Sequence, residues 1–504
     1  MDLHYKSTRN AAEKVCASAA ILNGLASEGG LYVPEYIPVF EKPLELMKSF
    51  SYQETAFEVL RLFLTDYSDD ELKSCIESAY KVRNDSKTGD GRGFDSSDIV
   101  NFRKVGETWY LELYHGATLA FKDMALSILP HLLKLAAKKQ GVTDEIVILT
   151  ATSGDTGTAA LSGFADVEGI RIVVFYPKDG VSEIQRLQMV TQKGKNVNVV
   201  AINGNFDQAQ SGVKAIFEDE KLKKELFEAG FRLSSANSIN IGRLVPQIVY
   251  YVYSYLHLLN TGELKTGDLL NVAVPTGNFG NILAAYYAKK MGIPIGKLIC
   301  ASNENKVLFD FFETGKYNKN RPFVLTSSPS MDILISSNLE RLLYYISGED
   351  TDKTSDLMKQ LKDKGEYEIT SEMKNKLEDF VGGYANQKET EKQIKSVYEK
   401  YKYVIDPHTA VASRVLEKMS GEAEEPCLIV STASPYKFLQ SVTGTIVDVP
   451  ENTPELELPE RLANIIGSEK PAAIESIING EILHLTVCEP QNMEFVLRKI
   501  LMNQ

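Results

Sequence analysis

Hydrophobic positions change their spacing along the chain of 504 residues. Up to about residue 95 they recur at helical intervals, in NAAEKVCASAAILNGLA and SYQETAFEVLRLFL, with the turn-forming EGGLYVPEYIP between them. From about 100 to 440 short apolar runs take over: EIVILT at 145, RIVVFYP at 171, VNVVAI at 197, NVAVPTG at 271, KLICAS at 297 and CLIVSTA at 427. Unbroken runs of this kind mark strands buried on both faces. Their alternation with helical stretches predicts an α/β fold of parallel sheets flanked by helices, behind a helical N-terminal domain.

Between these regions NDSKTGDGRGFDSSD reads as a linker or surface loop. Residues 350–402, dense in mixed charge with sparse Leu, Met and Phe, read as a charged insertion of solvated amphipathic helices. The organisation expected is therefore 1–95 as an N-terminal domain, 96–440 as a catalytic region of two α/β subdomains, and 441–504 as an apposed C-terminal segment.

Composition narrows the function. With 43% hydrophobic and 24% charged residues the chain is globular, and its length implies two or three domains. A net charge of −13 with no basic stripe excludes binding to a nucleic-acid backbone. Five cysteines without a CxxC pair suit reduced thiols, and six scattered histidines offer no metal spacing, so no metal is expected. The first residues lack the apolar run of a signal peptide and no stretch is long enough to span a bilayer, so a cytoplasmic protein is expected.

The candidate chemistry begins at HGATLAFKDMA, where Lys122 stands among small and apolar residues. Such a lysine either snorkels to water or is a desolvated amine able to attack a carbonyl. In PTGNFGN a strand runs into Gly277, Asn278, Phe279, Gly280 and Asn281 before a helix opens at Ile282, a phosphate cradle or a tight helix-on-strand packing. In TATSGDTG, Thr152, Ser153, Asp155 and Thr156 form either a carboxylate cradle or an ordinary N-cap. In STASPYKF, Ser431, Thr432 and Ser434 end a third strand, where a hydroxyl meets a ring nitrogen or caps a helix. All three loops are expected on one sheet edge, beyond the C-terminal ends of the strands. A phosphate cradle, a carboxylate cradle and an amine together point to pyridoxal phosphate and an amino-acid substrate.

The order of YKSTRN, GGLYVPEYIP, HGATLAFKD, TATSGDTG, GNFDQAQ, SSANSINIGRLVPQ, PTGNFGN, SPSMDILISSNLERLL, DPHTAVA and STASPYKF resembles the threonine synthases, in the tryptophan-synthase-β-like group of fold-type-II pyridoxal-phosphate enzymes. The resemblance covers residues 5 to about 440 and implies a Schiff-base role for Lys122. It further implies a cofactor-phosphate loop at Gly277–Asn281 and a pyridine-nitrogen partner in Thr432. Thr152, Ser153, Asp155 and Thr156 are then placed on the substrate's carboxylate side, and Asn237, Ser238, Asn240 and Arg243 on its phosphate. The implied reaction converts O-phospho-L-homoserine and water to L-threonine and phosphate, the last step of threonine biosynthesis, in a monomer or homodimer. A related phospholyase, a threonine or serine dehydratase and a non-catalytic phospholigand sensor are the alternatives. Two positions depart from the family: Ala117 stands where it usually has Pro, and Ser434 where it usually has His.

Overall fold

All six apolar runs form strands, divided between two sheets in a computed structural model that describes residues 2–83, 93–419, 425–450 and 452–502. One sheet has six strands in the order Phe380–Tyr384, Ile295–Ser302, Leu270–Pro275, Cys427–Ser431, Thr108–Glu112 and Asn101–Val105. Its pairings are parallel except for the last, Asn101 opposite Glu112. The other sheet is wholly parallel, in the order Thr486–Cys488, Val197–Ile202, Ile170–Pro177, Glu145–Ala151 and Phe231–Ser234. This corrects the single sheet edge expected for the three loops: TATSGDTG follows a strand of the second sheet, the other two follow strands of the first. Alternating strands and helices look the same in sequence whether they build one sheet or two.

Both segments given no strand by the sequence add a strand to one of these two sheets. Within 350–402, helices Thr351–Lys364 and Gln387–Tyr401 flank Phe380–Tyr384, which pairs in parallel with Ile295–Ser302. In the C-terminal segment Thr486–Cys488 extends the second sheet beside Val197–Ile202. The N-terminal region is likewise not purely helical. Tyr5–Ser7 pairs antiparallel with Lys14–Val15 and with Tyr32–Pro34, and the first helix is confined to Ala17–Asn23. Residues 84–92 of the linker reading lie outside the described residues. Among the described residues no helix is long and apolar enough to cross a membrane.

The helix Ile241–Asn260 is buried along nearly its whole length. Against it packs Tyr52–Phe63, started by a reciprocal Ser51–Glu54 capping box and burying Tyr52, Ala56, Val59, Leu60 and Phe63, the face that helical spacing predicts. Arg341 ties this region to the N-terminal strands. It is fully buried and donates from Nε to the Tyr32 carbonyl at 2.9 Å, from Nη2 to the Ile239 carbonyl at 2.6 Å, and from Nη1 to Asn338 Oδ1. Replacing Arg341 with Leu leaves these acceptors buried without a donor, so we expect a loss of about 3 kcal/mol of stability. A thermal melt lowered by only a fraction of a degree would contradict that assignment.

Candidate active site

Lys122 owes its position to the turn before it. The Thr118 N–H and hydroxyl donate to the two carboxylate oxygens of Asp123, at 2.8 and 2.6 Å, closing the chain over residues 116–123. A Cβ at Gly116 would stand 2.5 Å from Asp123 Oδ2, so glycine is required there. This double clasp fixes the turn although Ala117 lacks the rigidity of a proline. From the other side the Phe121 N–H donates to the Thr432 carbonyl at 2.8 Å and the Ser434 N–H to the Leu119 carbonyl at 3.0 Å. The STASPYKF loop is thereby laid against the lysine's loop. Lys122 is the first residue of helix Lys122–Leu126.

Around Lys122 lies a buried charge constellation. Its Nζ is 3.3 Å from Asp155 Oδ2 and donates to Ser330 Oγ at 3.1 Å, while Ser330 Oγ donates to Asp155 Oδ2 at 2.9 Å. The other oxygen of Asp155 is 3.0 Å from Nζ of Lys437 and accepts from Gln185 Nε2 at 3.0 Å. Burial alone would raise the Asp155 carboxyl, but Lys437 and Lys122 outweigh it and hold the group well below the usual carboxylate range. Lys122 goes the other way. Burial, together with Lys437 and Arg243, lowers its amine despite the attraction of Asp155. Ser330 is anchored in turn, its N–H donating at 3.1 Å to His408 Nε2, so that Nδ1 carries the proton toward Asp406 at 2.8 Å.

The glycine-rich loop meets the same cluster. A Cβ on Gly277 would fall 2.5 Å from the Ser330 carbonyl oxygen, and the Gly277 carbonyl accepts from Ser336 Oγ at 2.7 Å. The Asn278 carbonyl accepts from the N–H of Asn338 at 3.1 Å. Phe279 adopts a left-handed φ of 64° and ends the loop, so helix Gly280–Lys290 begins two residues earlier than expected. Asn281 accepts through Oδ1 from the hydroxyls of Tyr250 and Tyr251, while its Nδ2 is buried with no partner. Arg243 is buried, bonded through Nη1 to the Ala236 carbonyl at 2.7 Å with Nε unpartnered. Desolvation brings its guanidinium down to about 10, so it remains charged at neutral pH, and no carboxylate forms an ion pair with it among the described residues.

Several of the assigned residues have partners within the protein. Asp155, placed by the resemblance on the substrate carboxylate, is the counter-ion of two lysines; an anionic side chain would repel a second carboxylate. Thr152 accepts from the N–H groups of Gly154 and Gly157 at 3.0 and 2.9 Å, which satisfies two backbone donors at the start of helix Asp155–Phe164. Asn240 caps helix Ile241–Asn260 and donates to the Ile21 carbonyl at 2.9 Å, leaving neither polar atom free. Ser153 and Asn237 are exposed, Thr156 and Ser238 half-buried. A cleft of about 1380 Å³ lined by Gly24, Lys214, Arg232, Asn237 and Asn240 runs up to this loop. Ser434 caps the short helix Pro435–Lys437 by accepting from the Tyr436 N–H at 3.3 Å, and the buried Ser431 hydroxyl has no partner. Sequence reasoning missed Lys437, Ser330 and His408. The signal for Lys437 was available: a second lysine between aromatic residues, Tyr436 and Phe438.

His115 opens the Lys122 motif and sits between two carboxylates, with Asp95 2.7 Å from Nδ1 and Glu112 3.1 Å from Nε2. Burial opposes its charge, but the two carboxylates win and push the imidazole from 6.5 up to about 9. A histidine raised in the folded state stabilises fully below its unfolded value and loses that contribution as pH rises through the folded one. We therefore expect about 3 kcal/mol of stability to disappear between pH 6.5 and 9 in the wild type and not in His115→Gln. Denaturant titrations across that range check it; parallel pH profiles for the two proteins would contradict it.

Residues 4–80 match the family described as "Threonine synthase N terminus" and residues 102–433 the family described as "Pyridoxal-phosphate dependent enzyme". The chain is 40% identical to human threonine synthase-like 1 over 438 residues, which are 84% of this chain and 57% of that one. It thus spans little more than half the length of those relatives. It is 37% identical to threonine synthase of Pseudomonas aeruginosa, with 87% of this chain and 90% of that one matched. Crystal structures of yeast threonine synthase (TM-score 0.86, 30% identity) and of pyridoxal-phosphate-bound threonine synthase from Brucella melitensis (TM-score 0.84, 33% identity) each align over 99% of both chains.

Proposed function

The chain belongs to the threonine synthase family of pyridoxal-phosphate-dependent enzymes, and on that premise we propose that it converts O-phospho-L-homoserine and water to L-threonine and phosphate. The observation that carries the substrate is Arg243: a buried, charged guanidinium with an unpartnered donor and no counter-ion among the described residues calls for a bound anion. It lies on a different segment from Gly277–Asn281, so the substrate's phosphate and the cofactor's have separate places. A dehydratase, whose substrate carries no phosphate, has no use for the second one.

The residues present fit pyridoxal phosphate. Asn281 keeps a buried amide donor without a partner, Gly277 allows the loop to close on Ser330 only because it has no Cβ, and Lys122 is an amine with its proton affinity lowered by burial. On this reading Lys122, Gly277–Asn281 and Thr432 hold the cofactor, which when bound supplies an electron-withdrawing ring that stabilises negative charge on substrate carbons. Lys122 carries protons to and from the substrate; a neutral amine is required for that, and its desolvation favours one. Asp155 and Ser330 hold its Nζ in place. Arg243 binds the substrate's phosphate and offsets the charge that collects on it as it departs. Ser153 and Thr156, at the start of helix Asp155–Phe164, take the substrate's carboxylate.

We assign 96–440 as the catalytic unit between an N-terminal domain, 1–95, and a C-terminal segment. The ligands are small molecules, with neither nucleic acid nor membrane involved, and the enzyme works in the cytoplasm as a monomer or homodimer. A net charge of −13 and five free cysteines support that setting. Incubating the protein with pyridoxal phosphate and O-phospho-L-homoserine tests the function. Threonine and inorganic phosphate should form in equal amounts. Phosphate released with a keto acid or another amino acid in place of threonine would assign the chain to a different phospholyase, and no turnover would overturn the reading.

A further inference from the structure

The proposed reaction leaves the second lysine of the cluster without a task of its own. Lys437 is fully buried, and its Nζ lies within hydrogen-bond distance of three acceptors: the Thr118 carbonyl at 2.9 Å, Asp155 Oδ1 at 3.0 Å and Gln188 Oε1 at 3.1 Å. Three acceptors match the three donors of an ammonium, so the charge is held in one orientation. Gln188 is fixed as well, its Nε2 donating to the same Thr118 carbonyl at 3.1 Å. Through Thr118 the ammonium is also joined to the turn that delivers Lys122, since Thr118 is the residue clasped by Asp123.

We propose that Lys437 is a positioning residue: its fixed ammonium takes up the charge of Asp155, leaving Lys122 oriented by that carboxylate without being locked into a full ion pair with it. A lone Asp155 beside Lys122 would form a buried salt bridge and keep Lys122 protonated, which is the wrong state for an amine that must react. With Lys437 on one oxygen, the carboxylate is already neutralised and its second oxygen serves Lys122 and Ser330 as a hydrogen-bond acceptor. The charged groups facing Lys122 from its surroundings are Asp155, Lys437 and Arg243; the titratable Asp123 stands next in its own helix and the imidazole of His408 is reached through Ser330. Two of these are positive and push its proton off, in keeping with the lowering found for this amine.

The inference rests on Lys122 being the reacting amine of the proposed function, and its test reads that amine directly. Competitive acetylation with acetic anhydride, followed by peptide mass spectrometry on the full chain freed of cofactor, gives the pH midpoint at which Lys122 becomes reactive. In the wild type this midpoint should lie below that of exposed lysines. In Lys437→Gln and Lys437→Met it should rise by about one unit, a roughly tenfold loss of labelling at neutral pH, because a repelling charge is removed and Asp155 is released to pair with Lys122. Lys437→Arg should restore the midpoint, and Asp155→Asn should move it in the opposite direction. An unmoved midpoint in Lys437→Gln, or an arginine variant displaced as far as the glutamine one, would overturn the proposal. Failure of both charge-removing variants to fold would overturn it too, by making Lys437 a structural strut. A wild-type Lys122 that labels like an exposed lysine would instead defeat the reading of Lys122 itself.

Discussion

One buried carboxylate holds this site together. Asp155 stands at the start of a helix on the second sheet and meets a lysine from the turn at 116–123, a second lysine from the loop after Cys427–Ser431, and a hydroxyl from the loop at 328–332. A carboxylate out of water is costly unless it is paired and hydrogen-bonded, and here both oxygens are. The need to satisfy it therefore draws segments from two separate sheets into one place. Gly154, at a φ of 133°, makes the approach feasible: a Cβ there would fall 2.3 Å from the amide of Gln185, the residue that bonds Asp155.

The rest of the architecture follows from that meeting of sheets. The first sheet delivers the glycine loop and the Thr432 loop from adjacent strands, Leu270–Pro275 and Cys427–Ser431, so the two loops stand side by side on a rigid base. The second supplies Asp155 and its helix. Arg243 comes from the buried helix Ile241–Asn260, against which the N-terminal region packs, and Arg341 binds the carbonyl of Ile239 just before that helix. The N-terminal strands are in this way coupled to the segment that presents Arg243, although they supply no charged group to the Lys122 cluster.

How much of this the sequence disclosed depended on whether local chemistry or tertiary pairing decided the outcome. Lys122 and the glycine loop were legible, because an amine among apolar residues and a glycine run after a buried strand are local anomalies. Strand Phe380–Tyr384 was not. Its sequence FVGGY carries two glycines that weaken strand propensity, and the reason for one appears only in three dimensions: a Cβ on Gly383 would fall 2.3 Å from Val415 of the helix packed on it. Thr486–Cys488 was hidden by its shortness. Asp155 was found but its partners were not, since a TSGDTG loop tells that an acid sits at a helix start and not that two lysines distant in sequence, 122 and 437, converge on it. Lys437 was missed for the same reason.

On the proposed function, Lys122 alone of the two lysines sharing Asp155 is the reacting amine, and Lys437 is a fixed charge. Borohydride reduction of the protein loaded with pyridoxal phosphate, followed by peptide mapping, measures this directly. The pyridoxyl group should be found on the peptide carrying Lys122. An adduct on the peptide carrying Lys437, or none on either, would contradict the account.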